Sequence, residues 1–331
     1  MFAIQSASVQ LKEASFELQR KRELRVSNTT PAKYGSLDSK ALDSSVKRNS
    51  ALIKKLRQLS DESKESLLSD IQKTNQSKYV SEAVAAITDA SLKSKDINAA
   101  VQICCALHQR YPDFHTELVA ALARTCTPKA EDEKASALKR RSAFKLLTEL
   151  LVVGVYQEPA VLVNAVKTLA SVDFVRDKDA AQAALSLLAS FAKGGRQDML
   201  GLASPMVSAL SVEDSAEGAD DSAAVSEARK AFAAAKQTYM EEAQLRFRMP
   251  DAQQQELHQV ILTAFQAACK QLEQDHAGLI EVDKENARVL NNRQAPDIVY
   301  NIKICELAHG IISQPSVNAL LVVTGDGDHL C

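Results

Sequence analysis

Tryptophan is absent from the sequence, and only 10 glycines and 8 prolines are spread over its 331 residues. An all-β or doubly wound α/β fold draws on glycine-bearing turns and β-branched runs, so this scarcity weighs against both. Long apolar runs are missing too: no stretch reaches the roughly 20 residues that a membrane span requires. The N-terminus, MFAIQSASVQLKEASFELQRKRELR, turns charged too early for a secretory signal. The six cysteines, Cys104, Cys105, Cys126, Cys269, Cys305 and Cys331, lack paired CxxC spacing, which argues against a disulfide framework or a zinc ribbon. The expectation is a soluble, intracellular protein with reduced thiols, cytoplasmic and with a perinuclear or nuclear location as the variant, and with no membrane contact.

What is present favours helices. The chain is 46% hydrophobic and rich in alanine, leucine, serine, lysine and glutamine. A charged helix is expected over the first 25 residues, followed by a loop broken by Pro31 and Gly35. In LDSSVKRNSALIKKLRQL, helical spacing puts Leu42, Val46, Asn49, Ile53 and Leu56 on one side and Lys47, Arg48, Lys54 and Lys55 on the other. Further helices are expected over 62–73, 78–91, 95–110 and 112–125, with Pro112 in a first turn. TPKAEDEKAS reads as a polar connection. ALKRRSAFKLLTELLVVGVY, apolar on every side after Glu149, reads as a central buried helix. Helices over 159–171, 178–193, 203–210, 222–245 and 251–293 complete the pattern, the last carrying a seam of Leu257, Ile261, Ala264, Ala268, Leu272, His276, Leu279 and Leu290.

Helix pairs joined by short polar turns at intervals of about 40 to 50 residues suggest stacked antiparallel hairpins. The fold class is therefore all-α, a HEAT-like, armadillo-type superhelix with a long C-terminal helix. Three regions are expected: a charged helix and linker over 1–36, a helical repeat scaffold over 37–293, and a divergent tail over 294–331. The stretch SVEDSAEGADDS (211–222), with five acids and no base, reads as a solvated linker inside the scaffold.

Three features bear on chemistry. In VQICCALHQRYPDF, Cys104, Cys105 and His108 lie within five positions. A helical wheel turns Cys104 and His108 into the apolar face, and no second Cys/His pair supplies the four ligands of a zinc site or the base of a nucleophilic thiol. The stretch reads as core. Two basic clusters, Lys47, Arg48, Lys54, Lys55 and Arg57 on one helix and Lys139, Arg140 and Arg141 at the start of another, are candidate RNA or partner contacts. Bases have few aromatic rings to stack on nearby, and solvated helix faces remain the bland reading of both. GGR (194–196) and GDGDH (325–329) fit neither a P-loop, a dinucleotide fingerprint nor a calcium loop. No catalytic residue, cofactor or metal is expected.

The residues also carry a resemblance. LDSSVKRNSALIKKLRQL, NQSKYVSEAVAAITDASLKSKDINAAVQICCALHQRYPDF, RRSAFKLLTELLVVGVY and LSLLASFAKGGR, in that order over about 40–195, resemble the first middle-domain repeat, initiation factor four-G-like, of the up-frameshift factor two family. AKQTYMEEA and QDHAGLIEVDKENARVLN resemble its continuation. The resemblance implies antiparallel helix pairs stacked in a crescent and a non-enzymatic scaffold of nonsense-mediated mRNA decay. It implies up-frameshift factors one and three and exon junction complexes as partners. In that family the surfaces for factors three and one lie in a third domain and a tail, so a chain ending here is expected to be a fragment or truncated form. The alternative is a helical RNA-binding or translation-initiation-type module acting through its basic faces.

Overall fold

A computed structural model describes residues 2–30, 42–126, 134–172, 178–195, 197–202, 210 and 223–290. Among the described residues the chain forms α1 (Phe2–Thr29), α2 (Val46–Arg57), α3 (Lys64–Lys73), α4 (Val80–Asp89), α5 (Ile97–His108), α6 (Phe114–Cys126), α7 (Lys134–Val152), α8 (Pro159–Ala170), α9 (Lys178–Gly194), α10 (Ala223–Leu245) and α11 (Asp251–Leu290). A 3-10 turn, Ser94–Asp96, precedes α5. Extended pairing among these residues is limited to one isolated bridge, Asp43 with Thr74. The all-α reading holds. The helix expected over 203–210, all but the last residue of it, the linker 211–222 and the tail 294–331 lie outside the described residues.

Two layers result. Helices α2, α4, α6 and α8 pack in succession, and α11 continues that row; α3, α5, α7 and α9 form the second row. Each row buries its apolar stripes against the other in one continuous core. Phe114 and Leu118 of α6 and Leu146, Leu147, Leu150 and Leu151 of α7 are fully enclosed there. A leucine or phenylalanine so enclosed contributes about 2 to 3 kcal/mol through burial. The all-round apolar segment after Glu149 is the centre of the molecule, as its composition predicts.

Local sequence sets the ends. Pro159 occupies the first turn of α8, where a missing N–H is harmless. Pro112 instead stands in the turn ahead of α6, which starts at Phe114. Val46 is a second departure: it begins α2 but points outward, and Leu52 takes its place beside Asn49, Ile53 and Leu56 in the core. A third departure concerns α11, whose seam is buried from Leu257 to Ala268, whereas Leu272 and Leu279 are 58% and 53% exposed.

The C-terminus of α7 shows how α1 is fixed. Gly154, at φ 74°, ends the helix in the left-handed region. Its N–H donates to the carbonyl of Leu151 (3.2 Å), and the N–H of Val155 donates to that of Leu150 (3.0 Å), a Schellman arrangement. Helix α1 caps the same end, sharing the Leu151 carbonyl and taking those of Val152 and Val153. Arg25 Nη1 donates to Leu151 O (2.7 Å) and Val152 O (3.0 Å), and Asn28 Nδ2 donates to Val153 O (2.8 Å). The Arg25 guanidinium also lies 4.2 Å from the ring centre of Phe247. Lys21 pairs with Glu149 (2.7 Å), and Arg22 grips Glu242 through two hydrogen bonds (3.1 and 3.0 Å). Farther out, α1 and α10 share a small apolar core of Ile4, Ala7, Leu11, Phe232 and Tyr239.

Asn28 is buried, so Asn28→Ala leaves the Val153 carbonyl without its donor. We expect the variant to lose about 1 to 3 kcal/mol of stability in denaturant unfolding. A loss within the error of the measurement would mean that α1 does not hold the end of α7.

Candidate functional site

Helix α5 carries the thiols on its inner turns. Cys104 and Cys105 are 0% and 2% exposed, and His108 is buried at the last turn. Burial pushes the Cys104 thiol well above its ordinary range, with the neighbouring Cys105 adding to it. Burial raises Cys105 to about 11, opposed in part by Asn28, whose amide donates to its sulfur (3.2 Å). Cys126 is raised to about 12, again by burial. Thiols held in this state are poor nucleophiles. The wheel does not turn Cys105 inward with Cys104 and His108; α1, lying across α5, is what encloses it.

The His108 imidazole meets His115 edge to face, ring centres 5.1 Å apart. Burial, then the charge of His115, lowers its affinity for a proton, while a hydrogen bond with the backbone of Asn28 works the other way. Among the described residues no group of three His, Cys, Asp or Glu side chains is placed to hold a metal ion. The rest of the stretch secures α3. Arg110 donates to the carbonyls of Ile71 and Gln72, and the Tyr111 hydroxyl accepts from the backbone N–H of Gln76 (2.8 Å). Sequence reasoning missed these two roles, because both partners are roughly 35 to 40 positions away and spacing within one helix does not report them.

The first basic cluster lies on the outer face of α2. Lys47, Arg48, Lys54, Lys55 and Arg57 are all exposed. Arg48 pairs with Asp43 (3.0 Å) and Lys55 with Asp70 (2.6 Å). Such exposed pairs contribute little to stability. Among the described residues Lys47, Lys54 and Arg57 make no ion pair. Lys54, Lys55 and Arg57 also stand in the last turn of α2, where cations complement the helix dipole.

The second cluster is split by the structure. Lys139 pairs with Asp89 (2.9 Å) across to α4, and Arg141 is exposed, its guanidinium donating to Ser186 Oγ (3.0 Å) on α9. Arg140 is 6% exposed and turned into the fold. It is therefore withdrawn from the candidate contacts. Consecutive positions on a helix point about 100° apart, so three adjacent basic residues cannot share one solvated face. No described helix is long and apolar enough to cross a membrane.

Two rows of stacked antiparallel hairpins define a class. Residues 46–204, the body from α2 to α9, match the MIF4G domain model. The chain is similar to Regulator of nonsense transcripts UPF2 of Arabidopsis thaliana, 38% identical over 293 residues that make up 87% of this chain and 22% of the relative. It is similar also to Regulator of nonsense transcripts 2 of Mus musculus, 27% identical over 289 residues, 86% of this chain and 21% of the relative. The chain thus spans about a fifth of the length of these relatives. In fold it matches the first MIF4G domain of human nonsense mediated decay factor UPF2 with a TM-score of 0.67 and 23% identity, over 97% of this chain and 94% of that one. The resemblance read from the ordered segments is borne out.

The state of the thiols has a direct readout. In the native protein Cys104, Cys105 and Cys126 are expected to resist a thiol reagent at pH 8, while the less enclosed Cys269 reacts; all four react once the chain is denatured. Native labelling of Cys104 at the rate of Cys269 would contradict the burial described.

Proposed function

We propose that the chain is a non-enzymatic scaffold of nonsense-mediated mRNA decay that acts in the cytoplasm, with up-frameshift factors one and three and exon junction complexes as the assemblies it serves. The observation that carries this reading is the continuous match to regulators of nonsense transcripts across 87% of the chain, with the helical body intact. The interior supports it. Every thiol and imidazole of α5 that chemistry would use is sealed inside, and the exposed charges lie on outward helix faces.

Immunoprecipitation of the tagged full chain, with and without RNase, tests the proposal. Recovery of a decay factor or of exon junction components after RNase is the expected result. Failure to recover either, from lysate in which the chain is folded, would overturn the scaffold reading.

A second reading has one observation in its favour: Lys47, Lys54 and Arg57 face solvent with no carboxylate partner among the described residues. We infer that α2 then contacts single-stranded RNA through phosphates. Three such contacts give a slope of log affinity against log salt of about −2, which Lys47→Glu with Lys54→Glu should flatten. Binding insensitive to both salt and the substitutions would remove this reading.

A further inference from the structure

The outer face of the second helical row is not flat. Between α7 and α9, closed at one end by the start of α5, lies a groove of about 610 Å³. That volume falls within the range of sites that bind a ligand. Its floor is apolar: Phe144 and Phe191, packed together with ring centres 5.1 Å apart, and Leu187 and Ile97 beside them. Leu138, 56% exposed, marks one end of it.

The walls are cationic on both sides. Arg141 and Lys145, one turn apart, line it from α7, and Lys193 lines it from α9. Arg141 donates to the Ser186 hydroxyl and Lys145 to the Ser94 hydroxyl (both 3.0 Å), and neither these nor Lys193 meets a carboxylate among the described residues. The one lining carboxylate, Glu149, is already neutralised by Lys21 at 2.7 Å. The groove therefore holds three positive charges around an apolar strip, with no free carboxylate to balance them among the described residues.

We propose that this groove is the docking site of an acidic amphipathic helix from a partner protein. A helix with apolar residues at i, i+4 and i+7 fills the strip, and carboxylates flanking that stripe on both sides meet Arg141 and Lys145 on one wall and Lys193 on the other. RNA fits less well. Phosphates would satisfy the cations, but Phe144 and Phe191 are 3% and 5% exposed, which leaves too little ring surface for a base to stack on. The chain's own acidic stretch 211–222 supplies charge, yet Val212 is its only large apolar residue, so it has no stripe to lay in the strip. The proposal stands apart from the decay assignment, since it concerns the chemistry of a partner segment and not the pathway.

Fluorescence anisotropy with the full chain tests it, using three labelled probes: a synthetic helical peptide with leucine at the stripe positions and glutamate on both flanks, the same peptide with lysine for glutamate, and oligouridylate. The acidic peptide alone should bind, more weakly as salt rises. The combination Arg141→Glu, Lys145→Glu and Lys193→Glu should weaken it at least about tenfold, consistent with close charge pairs in a partly desolvated interface. Ser190→Trp, which fills the exposed side of the groove without changing charge, should weaken it comparably, so a folding defect in the triple variant leaves the test standing; circular dichroism reports on both. Oligouridylate binding abolished by the charge reversals, with no binding of the acidic peptide, would assign the groove to RNA and overturn the proposal. So would acidic-peptide binding that neither variant alters, or no peptide binding at all.

Discussion

The buried C-terminus of α7 is the constraint around which the molecule is arranged. A helix that ends in the middle of a core brings unsatisfied carbonyls with it, and each would cost roughly as much as a lost hydrogen bond if left unpaired. Gly154 deals with two of them by turning the chain back on itself. Those of Val152 and Val153 lie in the buried interior and take their donors from α1. Arg25 and Asn28 reach them from a helix more than a hundred positions earlier in sequence, and in doing so place α1 across α5 and beside α10. A Cβ at Gly154 would meet Thr29 at 2.8 Å, so the turn and the helix lying over it constrain each other.

That arrangement explains what could be read from the amino acids and what could not. Helix existence, the buried centre after Glu149 and the inward face of Cys104 follow from periodicity and composition, which act within one element. The enclosure of Cys105 does not, because it depends on α1, and nothing in VQICCALHQR names the helix that crosses it. Val46 and Arg140 fail for a related reason. A wheel ranks positions around one axis, but the neighbour on each side decides how wide the buried arc is. Leu272 and Leu279 continue a seam at helical spacing, yet they lie beyond its buried part, which ends at Ala268, and spacing alone cannot tell a covered stripe from a bare one. The exposed cations of α2 were legible as a face; the groove beside Arg141 was not, since half of it belongs to α9.

Charge in this chain is sorted by layer. On α2, Lys54, Lys55 and Arg57 sit at the C-terminal end, favoured by its dipole, Lys47 and Arg48 sit in the first turn, and Arg48 and Lys55 find carboxylates nearby. At the junction of α1, α7 and α10 the pairs Lys21–Glu149 and Arg22–Glu242 tie distant segments together and are partly shielded from solvent. In the groove between α7 and α9, Arg141 and Lys145 meet hydroxyls and no carboxylate among the described residues. A near-neutral net charge of −2 thus conceals three different electrostatic situations.

The route by which α1 joins the fold has a consequence for biosynthesis. Its first contacts, with α5 and the end of α7, are all available once Gly154 has left the ribosome. Its second partner, α10, is complete only roughly 90 residues later, a delay on the order of 5 to 20 seconds at ordinary elongation rates. Through that interval Ile4, Ala7 and Leu11 have no Phe232 or Tyr239 to cover them. The nascent chain carries a half-docked helix with a bare apolar edge, and this is the period in which it most needs a chaperone.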